Sequence, residues 1–293
     1  MGDIPKFLGR ETEITNLSKV LSKMSVDLEE YEGNIKILTA EKERINAELA
    51  IAHDIQDSFL PKNFDLDEED LDISAVMLPA KAVGGDFYDF FMIDDNHFAF
   101  VIGDVSDKGV PAALFMVKSK QIIQSSILSY HLVEEEYPLE EIIYEINNQL
   151  CVNNDSCMFV TSWIGLIDLD NGELTFVNAG HESPIIKSDG EFKFLETEND
   201  LVLGVMEDIK FHSHNIDLKQ GDKILLYTDG VTDANNESNE FFGKDNLLKV
   251  VKENDFNVNE SLNGIIDLIN DFTQNQEQFD DFTMLLVEYT PKK

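Results

Sequence analysis

The stretch FAFVIGDVSDKGVPAALFM, Phe98 to Met116, runs from an unbroken apolar segment through Gly103 and Asp104 into a polar loop, then into a second apolar segment opened by Pro111. The first segment, rich in Phe and Val, reads as a strand covered on both faces. Proline is tolerated in the first turn of a helix, so the second predicts a helix over Pro111–Tyr130. An acid at the mouth of a buried strand is unusual, because aspartate is depleted in strands. The same oddity stands at KAVGGDFYDFF, Lys81 to Phe91, where two glycines precede Asp86 and a strand follows. Paired glycines weaken a strand, so this placement asks for a job other than folding.

Outward from these stretches, strands are predicted at Ile73–Leu78, Phe87–Ile93, His97–Gly103, Phe159–Asp168 and Glu173–Asn178. Further strands are predicted at Ser183–Lys187, His212–Asp217, Lys223–Thr228 and Phe282–Tyr289. Besides Pro111–Tyr130, helices are predicted at Pro138–Cys151, Lys244–Val251 and Leu262–Phe272. Strand runs joined by turn signals such as DNG and SDG, with helices grouped rather than alternating, predict antiparallel sheets in an α+β fold.

Ahead of this part lies a different pattern. From Ile14 to Phe59 a heptad places Ile14, Leu21, Leu28, Ile35, Lys42, Leu49 and Gln56 at a, and Leu17, Met24, Tyr31, Leu38, Ile45, Ala52 and Phe59 at d. Twelve of these fourteen are apolar and no proline interrupts them, which predicts one continuous helix whose narrow stripe needs a partner helix. We expect a homodimer through residues 14–59, with Lys42 and Gln56 favouring one register. Ile51 and Ile55 broaden the apolar surface near the end, as a helix docking on a second body would. The expected division is a tail at 1–12, a coiled coil and linker helix at 13–60, and a second domain at 61–293, whose acidic start, Asp65 to Asp72, reads as a loop.

The formal charge is −36, from 58 acidic and 22 basic residues. Such a surface repels nucleic-acid phosphates and anionic lipid, so neither nucleic acid nor membrane is an expected partner. Cys151 and Cys157 are too few and wrongly spaced for a disulfide framework or a zinc site, and no signal peptide or long apolar run is evident. A cytoplasmic protein with free thiols is expected.

In a chain this acidic a lone aspartate belongs by default to the solvated surface. Four do not fit that default. Asp86, Asp104, Asp229 in ILLYTDGV and Asp280 ahead of DFTMLLVEY each cap a buried strand beside glycine, another acid or a small polar residue. Carboxylates meeting at strand ends need a cation, since like charges a few ångströms apart force protonation of some of them. Oxygen donors without Cys or His favour Mg2+ or Mn2+. Two such ions ready a water for in-line attack on phosphorus, so the implied chemistry is hydrolysis of a phosphate ester.

The motifs VGGDFYDF, GDVSDKGVPAALFM, NAGHESP, YTDGVTDA and DDFTMLLV, in this order, resemble the metal-dependent serine/threonine protein phosphatases of type 2C, in their bacterial SpoIIE/RsbU-like branch. AHDIQDSFLP, from Ala52, resembles the helix that enters that domain. The resemblance implies an αββα sandwich of two antiparallel sheets with a dimetal site at one edge, and hydrolysis of phosphoserine or phosphothreonine without a covalent phosphoenzyme. It implies that Asp104 bridges both ions, that the Val105 carbonyl is a further ligand, that Asp229 and Asp280 bind one ion, and that Asp86 stands near the other. A STAS-type antagonist of an anti-sigma factor is the implied substrate. Lys81 and Lys108 are candidates to hold its phosphate, against a plain solvent-facing role. His181 is a candidate to orient substrate or protonate the leaving serine, or else a turn histidine satisfying local backbone. Asp89, Asp233 and Asp281 are read as supporting acids, and His212 with His214 as an unsupported metal pair.

Two other functions compete. GGDF, Gly84 to Phe87, is similar to a nucleotide-cyclase signature, but no phosphate-cradling loop accompanies it. A non-catalytic coiled-coil module that only binds a partner is disfavoured by the intact aspartate set.

Overall fold

The computed structural model describes residues 8–62, 70–131, 138–198, 200–274, 276 and 278–291. Most of the acidic segment read as a loop, and the start of the tail, lie outside the described residues. The chain forms two compact units, Met1–Ala52 and His53–Lys293. The described part of the first is helix throughout, the bulk of α1 (Leu8–Phe59). Its a and d side chains, Ile14, Leu17, Leu21, Met24, Leu28 and Leu38 among them, are exposed on a single copy.

The second unit begins with the last turns of α1 and then forms two five-stranded antiparallel sheets. One has the order β1 (Leu71–Leu78), β10 (Phe282–Tyr289), β9 (Lys223–Tyr227), β6 (Ile185–Ser188), β7 (Glu191–Phe194). The other has the order β2 (Phe87–Met92), β3 (His97–Val105), β4 (Val160–Asp168), β5 (Glu173–Ala179), β8 (His214–Asp217). Helices α2 (Val110–His131) and α3 (Leu139–Cys151) cover the β2–β8 sheet, and α5 (Lys244–Glu253) and α6 (Val258–Thr273) cover the β1–β7 sheet. A single turn, α4 (Asp229–Thr232), follows β9. This is the αββα sandwich that the motifs imply.

Burial explains the composition of the strands. In β3, Phe98 to Ile102 are all fully buried, because sheet covers one face and helix the other. In β9 and β10 the period of two is visible as a choice of core. Ile224, Leu226, Leu285 and Val287 point into the core shared by the sheets, while Leu225, Tyr227, Met284 and Leu286 point to α5 and α6. Phe100, Trp163 and Phe176 on β3, β4 and β5 form a cross-strand aromatic row with centroids 5.2 and 5.0 Å apart.

Some elements differ from expectation: α4 has no counterpart in the predicted set, and β8 starts two residues later than the predicted strand. β7 follows the SDG turn, and although its EFKF alternates charge with phenylalanine, four residues are too few for that alternation to mark a strand. α6 starts four residues earlier than the apolar run, at Val258, because the Asn257 side chain caps it by accepting from the Glu260 N–H.

Inside the packing of α2 on β2 one ion pair is buried, Lys120 Nζ to Asp89 Oδ2 at 2.7 Å. Burial pushes the Asp89 carboxyl up and the lysine offsets part of that. Removing one partner strands a buried charge and costs about 3–5 kcal/mol, whereas replacing both by apolar groups is far better tolerated. Urea unfolding is therefore expected to show Lys120→Met strongly destabilised and the double variant Asp89→Leu/Lys120→Met closer to wild type.

Candidate active site

The antiparallel registers decide which ends meet. Phe87 pairs with Gly103, so Asp86 and Asp104, one step further, come to the same end of the β2–β3 ladder. Met284 pairs with Tyr227, which brings the start of β10, with Asp280 and Asp281 before it, to the end of β9 that Asp229 follows. The two ladders are tied at this edge by threonines. Thr228 Oγ1 and Thr283 Oγ1 donate to the same Asp86 oxygen at 2.7 and 2.6 Å, the threonines standing at β9 and β10 of one sheet and Asp86 at the start of β2 of the other. Asp86 is 1% exposed.

The loop before β2 explains its glycines. A Cβ on Gly84 would stand 2.5 Å from Asp281 Oδ2, and one on Gly85 would stand 2.9 Å from the Val105 carbonyl oxygen. Only glycine lets this backbone lie against both. Asp281 then pins the loop, accepting from Ala80 N at 2.8 Å and Gly85 N at 2.6 Å. Gln56, in the last turn of α1, closes the other side. It donates to the Gly84 carbonyl at 2.6 Å and accepts from the Gly84 N–H at 3.1 Å.

The carboxylates feel one another. Asp104 is pushed up to about 7 by burial and then by the charges of Asp229 and Asp280. Burial also raises Asp86 well above the usual carboxylate range, with Asp104 adding to it, and raises Asp229, with Asp280 and Asp233 adding to it. Among the described residues no three acidic, His or Cys side chains are gathered tightly enough to hold one ion as they stand. Asp86 rests on its threonines, and Asp280 on Lys108, whose Nζ lies 2.8 Å from Asp280 Oδ2 and 3.0 Å from the Phe279 carbonyl oxygen. The donor set nevertheless fits a hard divalent cation. It is all oxygen, and its mutual repulsion marks a shortage of positive charge at this edge.

The other predicted residues fall as follows. Lys81 is exposed on the loop between β1 and β2. His181 is buried, with Nε2 at 3.1 Å from the Tyr227 carbonyl oxygen and Nδ1 at 2.9 Å from Thr161 Oγ1. A carbonyl only accepts, so Nε2 carries the proton and Nδ1 accepts from the threonine. Burial lowers this ring to about 4. It links β4, beside Asp104, to the end of β9, beside Asp229. Asp233 caps α4 and raises Asp229, whereas Asp89 lies behind the site with Lys120. His212 pairs with Asp200 and His214 packs on Phe176, so these two histidines are occupied elsewhere. Sequence reasoning missed Gln56, Thr228 and Thr283 as supports. Both threonines sit inside quoted motifs, and Gln56 shows as a polar residue at an a position.

Residues 94–290 match the family described as Stage II sporulation protein E (SpoIIE). The chain is 32% identical over 281 residues to protein IcfG of Synechocystis sp., covering 87% of this chain and 44% of IcfG. It is 31% identical over 248 residues to the phosphoserine phosphatase RsbU of Bacillus subtilis, covering 84% of this chain and 71% of RsbU. The chain thus spans less than half the length of IcfG. Among solved structures, the SiaA PP2C domain of Pseudomonas aeruginosa superposes with a TM-score of 0.74 at 20% identity, over 85% of this chain and 99% of that one. The catalytic domain of the serine/threonine phosphatase PstP, solved with two manganese ions, superposes with a TM-score of 0.54 at 15% identity, over 75% of this chain and 99% of that one.

Because the folded protein raises Asp104 from 3.8 to about 7, the native state holds a proton that the unfolded state releases between those values. Stability of the metal-free protein contributed by this group is present below about pH 4 and lost as pH rises to about 7. His181 acts in the opposite sense, but equally in wild type and Asp104→Asn. Thermal unfolding in chelator should therefore show Asp104→Asn gaining on wild type by about 1 kcal/mol or more between pH 5 and pH 7.5. A constant gap would contradict the electrostatic reading.

Proposed function

The chain belongs to the SpoIIE family of PP2C-type serine/threonine phosphatases, and on that footing we propose that it removes phosphate from phosphoserine or phosphothreonine on a regulatory protein, with two divalent ions, Mn2+ or Mg2+, as cofactors. We assign Asp86, Asp104, the Val105 carbonyl, Asp229 and Asp280 as the groups that hold them. The observation that carries this reading is the meeting of these four carboxylates at one edge of two sheets. When bound, such a pair lowers the pKa of a shared water and neutralises phosphoryl oxygens.

The chain's own residues do the positioning. Thr228 and Thr283 orient Asp86, and Asp281 and Gln56 hold the Gly84–Gly85 backbone against the Val105 carbonyl. Lys108, already at the Asp280 carboxylate, offers a point charge to a substrate phosphate there, and exposed Lys81 offers a second. His181 aids substrate orientation through the strands it links.

A STAS-type phosphoprotein is the substrate we favour, supported by the likeness to RsbU, whose name states a phosphoserine phosphatase. We assign residues 14–59 to a homodimeric coiled coil, supported by the exposed a and d positions from Ile14 to Ile45. Gln56 lies on that helix and touches the loop that carries Asp86, so a change in coil packing has a direct route to the site. A cytoplasmic location accords with the free thiols, and among the described residues no helix is long and apolar enough to cross a membrane.

With manganese and a phosphoserine protein, Asp104→Asn is expected to fold yet lose at least about 100-fold in kcat, the scale on which removing one group that stabilises the transition state acts. Full activity in that variant would defeat the assignment. Gln56→Ala leaves both polar groups of Gly84 without their partner, at about 1–3 kcal/mol. It should raise the metal concentration needed for half-maximal rate; an unchanged metal dependence would remove Gln56 from the account.

A further inference from the structure

A cavity of about 340 Å3 lies in the second unit beside the carboxylate edge, between the end of β1, the segment after α4, the C-terminal half of α6 and the start of β10. Buried Ile269 and Phe282 with half-buried Ile266 give it an apolar floor, and exposed Leu78 and Asn270 with half-buried Thr273 give it an uncharged rim. Although acids number 58 in this chain, among the described residues the cavity meets charge only at Asp233 and Asp280. Asp280 is thus both a wall of the cavity and a member of the carboxylate cluster. At the same corner stands Phe279, 75% exposed, with Lys108 Nζ 4.4 Å over its ring.

Resting on the phosphatase reading above, we propose that this cavity is a substrate subsite, which takes an uncharged apolar side chain of a residue next to the phosphoserine. Three features argue for that occupant. The volume is at the low end of the range for binding pockets, about 300–1,000 Å3, and so has room for a side chain or two rather than a large cofactor. The shared wall at Asp280 means that a peptide presenting its phosphate at the carboxylate edge carries a neighbouring residue across the cavity mouth. Charge selects the chemistry: the acids at the mouth repel acidic side chains, and a basic one would compete with divalent ions for the same carboxylates. The floor offers only desolvation of apolar surface.

The test is steady-state hydrolysis by the full chain with Mn2+ of two phosphoserine peptides identical except for the flanking residues, Leu in one and Ser in the other. p-Nitrophenyl phosphate, which has no flanking residues, is measured alongside. The expected result is a preference for the Leu peptide of at least about tenfold in kcat/KM. Asn270→Trp and Thr273→Trp fill the cavity from its rim and should bring the ratio of the two peptides toward one. Turnover of p-nitrophenyl phosphate with equal rates for both peptides overturns the subsite alone, as does a preference that survives in both folded variants. Turnover of none of the three overturns the phosphatase reading and the subsite with it. Should neither tryptophan variant fold, the wild-type ratio decides.

Discussion

Like charges crowded at one edge are the constraint around which this fold is arranged. Asp86, Asp104, Asp229 and Asp280 arrive from four strand ends, and burial, with the repulsion among them added to it, drives Asp104 up to about 7. A fold optimised only for stability would place uncharged residues there. The arrangement makes physical sense once positive charge joins it. Among the described residues Lys108 supplies one unit, to Asp280.

The rest of the second unit holds that edge in shape. Two antiparallel registers bring the right ends together, and the apolar sandwich keeps them in register because a slip of one residue would turn each buried side chain to the wrong face. Asp86 is too deeply buried to depend on solvent, so two threonines satisfy it, one from the end of β9 and one from within β10. Behind the site, Lys120 and Asp89 fix α2 to β2. Asp281 and Gln56 both hold the same two-glycine loop, which ties the last turn of α1 to the segment that carries Asp86.

Much of this was legible in the residues. Apolar runs closed by an acid mark strands that end at a site, because burial on both faces writes a continuous hydrophobic signature and function writes the exception. The heptad marks α1 for the same reason, as a long pattern of one period. What stayed hidden was short or distant. β7 alternates over only four residues, too few to stand out as a strand, and α6 begins at a polar cap rather than at its apolar run. The partners of Asp86 lie 142 and 197 residues away, and no local pattern announces a contact of that separation. Gln56 was visible only as a flaw in the heptad; its reason, the backbone of Gly84, needed the fold.

The central claim is that these carboxylates are assembled to bind divalent metal. Calorimetric titration of Mn2+ into the purified metal-free chain addresses it without reliance on any substrate. Two ions bound per chain, with binding weakened or lost in both Asp104→Asn and Asp229→Asn, is the predicted result. No binding by the wild-type chain, or isotherms that neither substitution changes, would contradict it.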